Sequence, residues 1–358
     1  MATLAIVCRE QFGYHTDLWQ YATHLSKDME VKVFCIDAGL EKLAVPSVNV
    51  TYVKPRKQGR LFDLFSLLMT VIRNKREIDV LFLKYFLGSS LFLFFFPRKQ
   101  VIFDVRTFSV DHSAFKRAVL DLLLRLEVRL GKNITAVSSS LAKRLWNKNV
   151  TVVGLGCDYP RNNFQARKIE GKQIIQLLYV GTLHNRDIAT LIHGLQKVRE
   201  NLGFLPFQLK IAGSGYGTEE AELETMAIAL GVSASVELLG YQRGEALVEL
   251  FLSSDLGVVQ VPDTPYYASQ PSTKLFEYWS YGLPVVASDY PMNREFVTPG
   301  TGLLYAANSS GFANALMKIH TMGFDFDFHQ ISDKARLYSW NSIIRRQLLP
   351  AIEGILRS

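Results

Sequence analysis

Along the whole chain, short apolar runs bounded by turn formers alternate with segments whose apolar positions recur every three or four residues. The runs predict strands near 3–8, 31–37, 48–53, 79–84, 100–105, 134–138 and 150–154. Helical periodicity falls between them, near 14–27, 61–76, 87–95, 113–130 and 139–147. The alternation starts afresh at Ile174, with strands near 174–180, 207–212, 235–238, 256–261 and 284–288. Such a pattern predicts doubly wound α/β units with parallel sheets. A polar, turn-rich stretch at 158–163, followed by charged residues to Lys172, reads as the linker. The expected organisation is a Rossmann-like domain over 1–165, a second over 166–338, and a helix over 339–358 that packs back on the first. Ligands of open α/β sheets bind at the carboxyl ends of the strands, so two such domains are expected to face one cleft.

Composition narrows the class. A chain of 358 residues, 48% hydrophobic and 20% charged, can fill two cores. It has no run of about twenty apolar residues to span a bilayer, and its first residues lack the basic flank and cleavage site of a signal peptide. Cys8, Cys35 and Cys157 lie in strand-like runs without C-x-x-C spacing, as expected of buried thiols in a reducing cytoplasm. Charge is uneven: residues 1–170 carry 26 Lys and Arg against 15 Asp and Glu, whereas 171–358 carry 14 against 18. Something anionic should meet the first half. Nucleic acid is set aside, because the basic residues lack interleaved aromatics. An anionic membrane surface or a phosphorylated acceptor fits better.

The most informative segment is 268–288. A polar loop containing Ser269 and Gln270 leads to Pro271-Ser272-Thr273, residues suited to a first helical turn. The helix stops at Gly282, and a buried strand follows Pro284. A helix N-terminus offers N–H groups and a favourable dipole to a diphosphate. Lys274 adds a full charge, and Glu277, one turn further on the same face, can accept from two vicinal hydroxyls. For an isolated Lys and Glu at this spacing, a solvated helix pair is the ordinary alternative.

These residues resemble the donor-binding motif of GT-B glycosyltransferases, especially family 4 of retaining enzymes, in which two glutamates lie eight apart before a G-x-P-V-V-A-S strand. Glu277 matches the second, which in the family holds the nucleotide ribose. Ser269 stands where the first would contact the donor sugar, so the chain departs from the motif there. It fits instead a P-x-K-L-F-E-Y form, with one extra residue between Pro271 and Lys274. By the same resemblance, 180–187 is the strand–glycine turn at the donor phosphates, with Thr182 in place of an arginine and Arg186 near the usual lysine. Gly215, in Gly213-Ser214-Gly215-Tyr216-Gly217, belongs to a turn beside the donor. Tyr241 follows the turn that reads the nucleobase, and stacking or core packing are its two readings.

The first half carries weaker signals. Gly13 lies in the loop after the first strand, where relatives bring backbone N–H groups to phosphates or acceptor. Asp104, Arg106 and His112 lie at and beyond the end of a buried strand, an end that serves the acceptor in the family. Asp104 and Arg106 share a face and can bond each other or a substrate. A buried paired carboxylate is the plain alternative for Asp104, and His112 is a candidate acceptor-side acid or base. Asp325-Phe326-Asp327 imitates a metal-binding D-x-D but falls between turn residues near the C-terminus, so no metal or cofactor is expected.

The reading is a metal-independent glycosyltransferase using a nucleotide-sugar donor, of the UDP kind, and a glycan or lipid-linked acceptor, without nucleic acid. Lys274, Arg186 and the helix start at Ser272-Thr273 take the leaving diphosphate. The expected location is cytoplasmic and peripheral on the inner face of a membrane. That expectation rests on the apolar run 81–96, ending in Arg98-Lys99, and on Lys54, Arg56, Lys57, Arg60, Arg73, Lys75 and Arg76 around the preceding helix. The alternatives are plain core for the apolar run, with a soluble anionic acceptor. For the activity they are an epimerase of the same fold, or a member that binds nucleotide sugar or lipid without transfer.

Overall fold

The computed structural model describes residues 1–55, 59–109, 111, 113–160, 164–262, 271–323 and 325–357. The chain forms two compact units, one of Met1–Gly156 with Trp340–Ser358 and the other of Cys157–Ser339.

The first unit holds a seven-stranded sheet of β1 (Thr3–Val7), β2 (Glu30–Ile36), β3 (Val48–Val53), β4 (Val80–Lys84), β5 (Val101–Val105), β6 (Asn133–Ala136) and β7 (Val150–Val152). The order is β3-β2-β1-β4-β5-β6-β7, and every pairing is parallel. Every residue of β1 and β5 is buried, as strands covered on both faces require, whereas edge strand β3 has only Val53 buried. Leu67, Leu68 and Val71 of the helix Arg60–Arg73 cover one face, and Leu124 and Val128 of the helix Ala114–Leu130 join the same core. The segment predicted as a helix near 87–95 is instead 3₁₀ over Ser89–Phe94, with Phe92 buried and Leu91 and Phe94 exposed.

The second unit repeats the plan with β8 (Ile175–Val180), β9 (Phe207–Ala212), β10 (Val236–Gly240), β11 (Leu256–Val259), β12 (Val285–Ser288) and β13 (Gly302–Tyr305). They pair in parallel in the order β10-β9-β8-β11-β12-β13. Strand β13 was not expected. Residues 157–165, read from the sequence as the end of the first domain, fall in the second unit. Nor is the following stretch a free tether. Arg167 donates to the carbonyls of Ser254 and Phe251, and Lys172 pairs with Asp255 at 2.5 Å.

Trp340–Ser358 is grouped with the first unit. Its helix widens to a π-turn over Ile344–Leu348 just before Pro350, which has no N–H to give the preceding turn. The Trp340 ring meets Tyr21 edge-on at 6.2 Å, Gln347 accepts from Gly154 N–H at 2.8 Å, and Arg345 pairs with Asp28 at 2.7 Å.

Candidate active site

In the second sheet the strand order reverses between β8 and β11, and the crevice at such a point is where open sheets take ligands. The turns leaving β8, β9 and β10 abut there. Gly181 N–H donates to Ala212, Gly213 N–H to Gly240, and Leu183 N–H to Ser214, at 2.8–3.1 Å. A Cβ on Gly213 would stand 1.7 Å from the Gly181 carbonyl oxygen, so only glycine permits this approach. Gly215 lies in the same turn, beside the Glu219 carboxylate. Arg186 is half-buried between Asn185 (φ 56°) and Asp187 (φ 53°), two of the three non-glycine residues with positive φ among the described residues. Left-handed backbone costs least at Asn and Asp, and these two residues fix the course of the turn that carries Arg186. Tyr241 is 72% exposed, which leaves stacking and excludes core packing.

The helix Thr273–Ser280 is pinned to this edge by Tyr278, whose hydroxyl accepts from Val180 N–H at 2.8 Å and donates to the Val258 carbonyl. Ser272 precedes its first residue in extended backbone and makes no capping hydrogen bond from its side chain. A helix start not capped in this way keeps N–H donors for a ligand. Lys274 and Glu277 form an ion pair at 2.5 Å, each about a quarter to a third exposed. A positive and a negative group thus stand together one turn inside the helix start. Ser269 and Gln270 lie outside the described residues, as does His112.

In the first unit the corresponding reversal falls between β1 and β4. Gly13 follows β1 with φ 99°, and Leu43 packs where a Cβ would stand. Asp104 is fully buried, accepts from the Thr135 hydroxyl at 2.7 Å, and lies 3.1 Å from the Arg106 guanidinium. Arg106 also pairs with Asp17 at 2.8 Å and donates to the Val153 carbonyl and the Tyr21 hydroxyl. Burial raises the Asp104 pKa, against the pull of Arg106. Burial also acts upward on Asp17, but Arg106 and Lys84 outweigh it and hold that carboxyl below its ordinary range. This geometry fits the plain alternative: Asp104 and Arg106 tie β5 to the helix Thr16–Leu25 from inside.

The open groups at this edge are ones sequence reasoning missed. Lys84, ending β4, pairs with Glu10 at 3.3 Å, and Glu10 lies 3.8 Å from His15. Burial, then Lys84, holds the His15 imidazole below its usual pKa. Their signal was position, each falling at or just past the carboxyl end of a switch-point strand. Among the described residues no group of three or more His, Cys, Asp or Glu is arranged to hold a metal. Asp327 of the D-x-D look-alike caps the helix Phe328–Leu337, accepting from Gln330 N–H at 3.0 Å.

Residues 175–321 match the family model described as glycosyl transferases group 1. Solved structures share the fold over essentially the whole chain. A glycosyltransferase from Rickettsia africae ESF-5 is 12% identical with a TM-score of 0.75, covering 100% of this chain and 99% of that one. The lipopolysaccharide outer core galactosyltransferase WaaB, in its apo form, is 16% identical with a TM-score of 0.73, covering 98% and 99%. Anabaena HepE, in complex with UDP and glucose, is 14% identical with a TM-score of 0.71, covering 99% and 100%. No curated protein matches the chain by sequence. The family match thus falls within the second unit, and the two parallel sheets share the GT-B fold of those solved glycosyltransferases.

Proposed function

We propose that the protein moves a sugar from a UDP-sugar to a hydroxyl of a glycan or lipid-linked acceptor. The observation that carries this reading is the helix Thr273–Ser280, which brings a start without a side-chain cap, a lysine and a carboxylate to the switch point of the second sheet. The neighbour HepE holds UDP and glucose, which supports the donor; WaaG, another neighbour, is involved in lipopolysaccharide biosynthesis, which supports a lipid-linked acceptor. In the transfer the bond from anomeric carbon to diphosphate oxygen breaks, a bond to the acceptor oxygen forms, and the acceptor proton departs. Negative charge grows on the diphosphate, where Lys274, Arg186 and the N–H groups after Ser272 oppose it. Glu277 takes the ribose hydroxyls, while Gly215 and Tyr241 border the nucleotide and Ser269-Gln270 face the sugar. Gly13 and His112 serve the acceptor side, on an edge that Asp104 and Arg106 brace. The proposed location is cytoplasmic, at the inner face of a membrane; among the described residues no helix is long and apolar enough to cross one.

Because Lys274 and Glu277 hold each other, a donor must separate them, each going to its own part of the nucleotide. Glu277→Ala is expected to weaken UDP binding ten- to a hundredfold, roughly the 1.5–3 kcal/mol of charge-assisted bonds to a ribose. Inorganic pyrophosphate, which has no ribose, should bind the variant at least as well as the wild type, because Lys274 is released. Titration calorimetry with both ligands checks this, and unchanged UDP affinity would remove the assignment.

Turnover is also expected to persist in EDTA, with lysine, arginine and helix dipole supplying the positive charge that a metal would otherwise bring. Loss of activity that Mg²⁺ or Mn²⁺ restores would contradict this.

A further inference from the structure

Large apolar side chains are exposed together on three elements of the first unit. On the helix Ala114–Leu130, Phe115, Val119, Leu122, Leu126 and Leu130 recur at spacings of three and four, so they form one stripe, and all five are exposed. A helix usually turns such a stripe inward; here Leu124 and Val128 supply the core contact. The helix Arg60–Arg73 adds Leu61, 81% exposed, with Phe62 and Phe65, and the 3₁₀ segment adds Leu91, Phe94, 82% exposed, and Phe95. These elements adjoin. Glu127 accepts from the backbone N–H groups of Gly88 and Ser90 at 2.9–3.2 Å, and Leu64 packs where a Cβ on Gly88 would stand.

A basic row borders this face. Arg98 and Lys99 follow Phe94 and Phe95, and the Lys99 carbonyl accepts from Asn133, next to exposed Lys132. Exposed Arg129 lies in the last turn of the helix Ala114–Leu130. Lys75 lies 5.7 Å from the Phe96 ring centre, beside exposed Arg73 and Arg76 in sequence. Of the sequence-stretch basic residues, Arg56 and Lys57 lie outside the described residues.

We infer that this face is a lipid-docking surface, with the helix Ala114–Leu130 lying in the plane of an anionic bilayer and Leu61, Phe94 and Phe115 entering its acyl boundary. The inference rests on the membrane location proposed above but needs no part of the donor chemistry. Apolar projection beside a basic row is the two-part attachment of a peripheral protein, and charge complementarity favours anionic lipid over a second copy carrying the same row. Screening beyond a Debye length of about 10 Å at 0.1 M salt should leave only the apolar part at high salt.

The test is co-sedimentation of the full chain with vesicles of phosphatidylcholine alone or mixed with phosphatidylglycerol. The comparison variants are Leu61→Asp/Phe94→Asp/Phe115→Asp and Arg98→Glu/Lys99→Glu, with thermal midpoint and UDP affinity measured alongside. Wild type should bind the anionic vesicles, and each variant should bind at least roughly tenfold more weakly with midpoint and UDP affinity unchanged. Absence of wild-type binding, or full binding by the triple variant, would overturn the inference. So would a wild-type dimer that the triple variant converts to monomer without any vesicle binding, since the occupant would then be a second copy. Vesicle binding by a wild type with no UDP affinity would sink the donor reading and leave this surface standing.

Discussion

Lys274→Ala is expected to lower kcat by roughly 10²–10³-fold while changing the dissociation constant for the donor much less. The ground-state diphosphate already carries charge, but a further negative charge develops on it as the glycosidic bond breaks. A positive group aimed at that oxygen therefore acts mainly in the transition state. In this structure the substitution does more than remove a cation. It also leaves the Glu277 carboxylate, now 2.5 Å from the ammonium, as a negative charge with no counter-ion near the diphosphate. The double variant Lys274→Ala/Glu277→Ala should consequently recover part of the lost kcat, a coupling that a double-mutant cycle measures. Steady-state kinetics with separate KM and kcat decide the point. A single variant with normal kcat and only a raised KM would make Lys274 a binding group.

Arg106→Met should cost about 3–5 kcal/mol of stability, because it strips the counter-charge from two carboxylates in the interior. Asp104 is wholly buried and Asp17 nearly so, and Arg106 faces both. The pH dependence has a defined sign. Asp17, held below its unfolded pKa of about 3.9, contributes stability that is present above that value and lost as pH falls through its lower folded pKa. Asp104, raised by burial, contributes in the opposite sense: fully below about 3.9, and lost as pH climbs through its raised folded value. Without Arg106 both carboxyls should prefer the proton. The deficit of the variant is thus largest near neutrality and shrinks as pH falls toward the carboxylate range. Urea unfolding at pH 7.5 and pH 5 measures it. A variant with an unchanged midpoint and lost turnover would move Arg106 from brace to acceptor-side catalyst.

The contrast between Lys274 and Arg106 shows what the sequence could convey. Strand positions came from apolar runs, which a sheet covered on both faces makes dense and unmistakable in β1, β4 and β5. Strand β13 escaped because Gly302–Tyr305 is four residues long and only its ends are buried, leaving no run to see. The donor-side residues are local: Ser272, Lys274 and Glu277 occupy consecutive turns of one helix, so spacing alone brings them together. The first unit's ion pairs are not local. Arg106 meets Asp17 across 89 residues of chain, and Lys84 reaches back to Glu10. No period or spacing encodes such a partner. The apolar run 81–96 was ambiguous for a related reason, since unbroken hydrophobicity carries no face; burial of Phe92 and exposure of Phe94 two residues later had to come from the fold.

The return of the chain to its first unit sets an order on synthesis. The second unit is one unbroken stretch, 157–339, whereas the first is completed only by Trp340–Ser358. When the last strand of the later unit has left the ribosome, the earlier one still lacks the Trp340 ring on Tyr21, the Gln347 amide for Gly154 and the Arg345 partner of Asp28. At about 5–20 residues per second, that final stretch takes roughly one to four seconds more to make. During that interval the unit encoded first, its seven strands already made, still waits for its closing helix, whereas every residue of the unit encoded second has been synthesised.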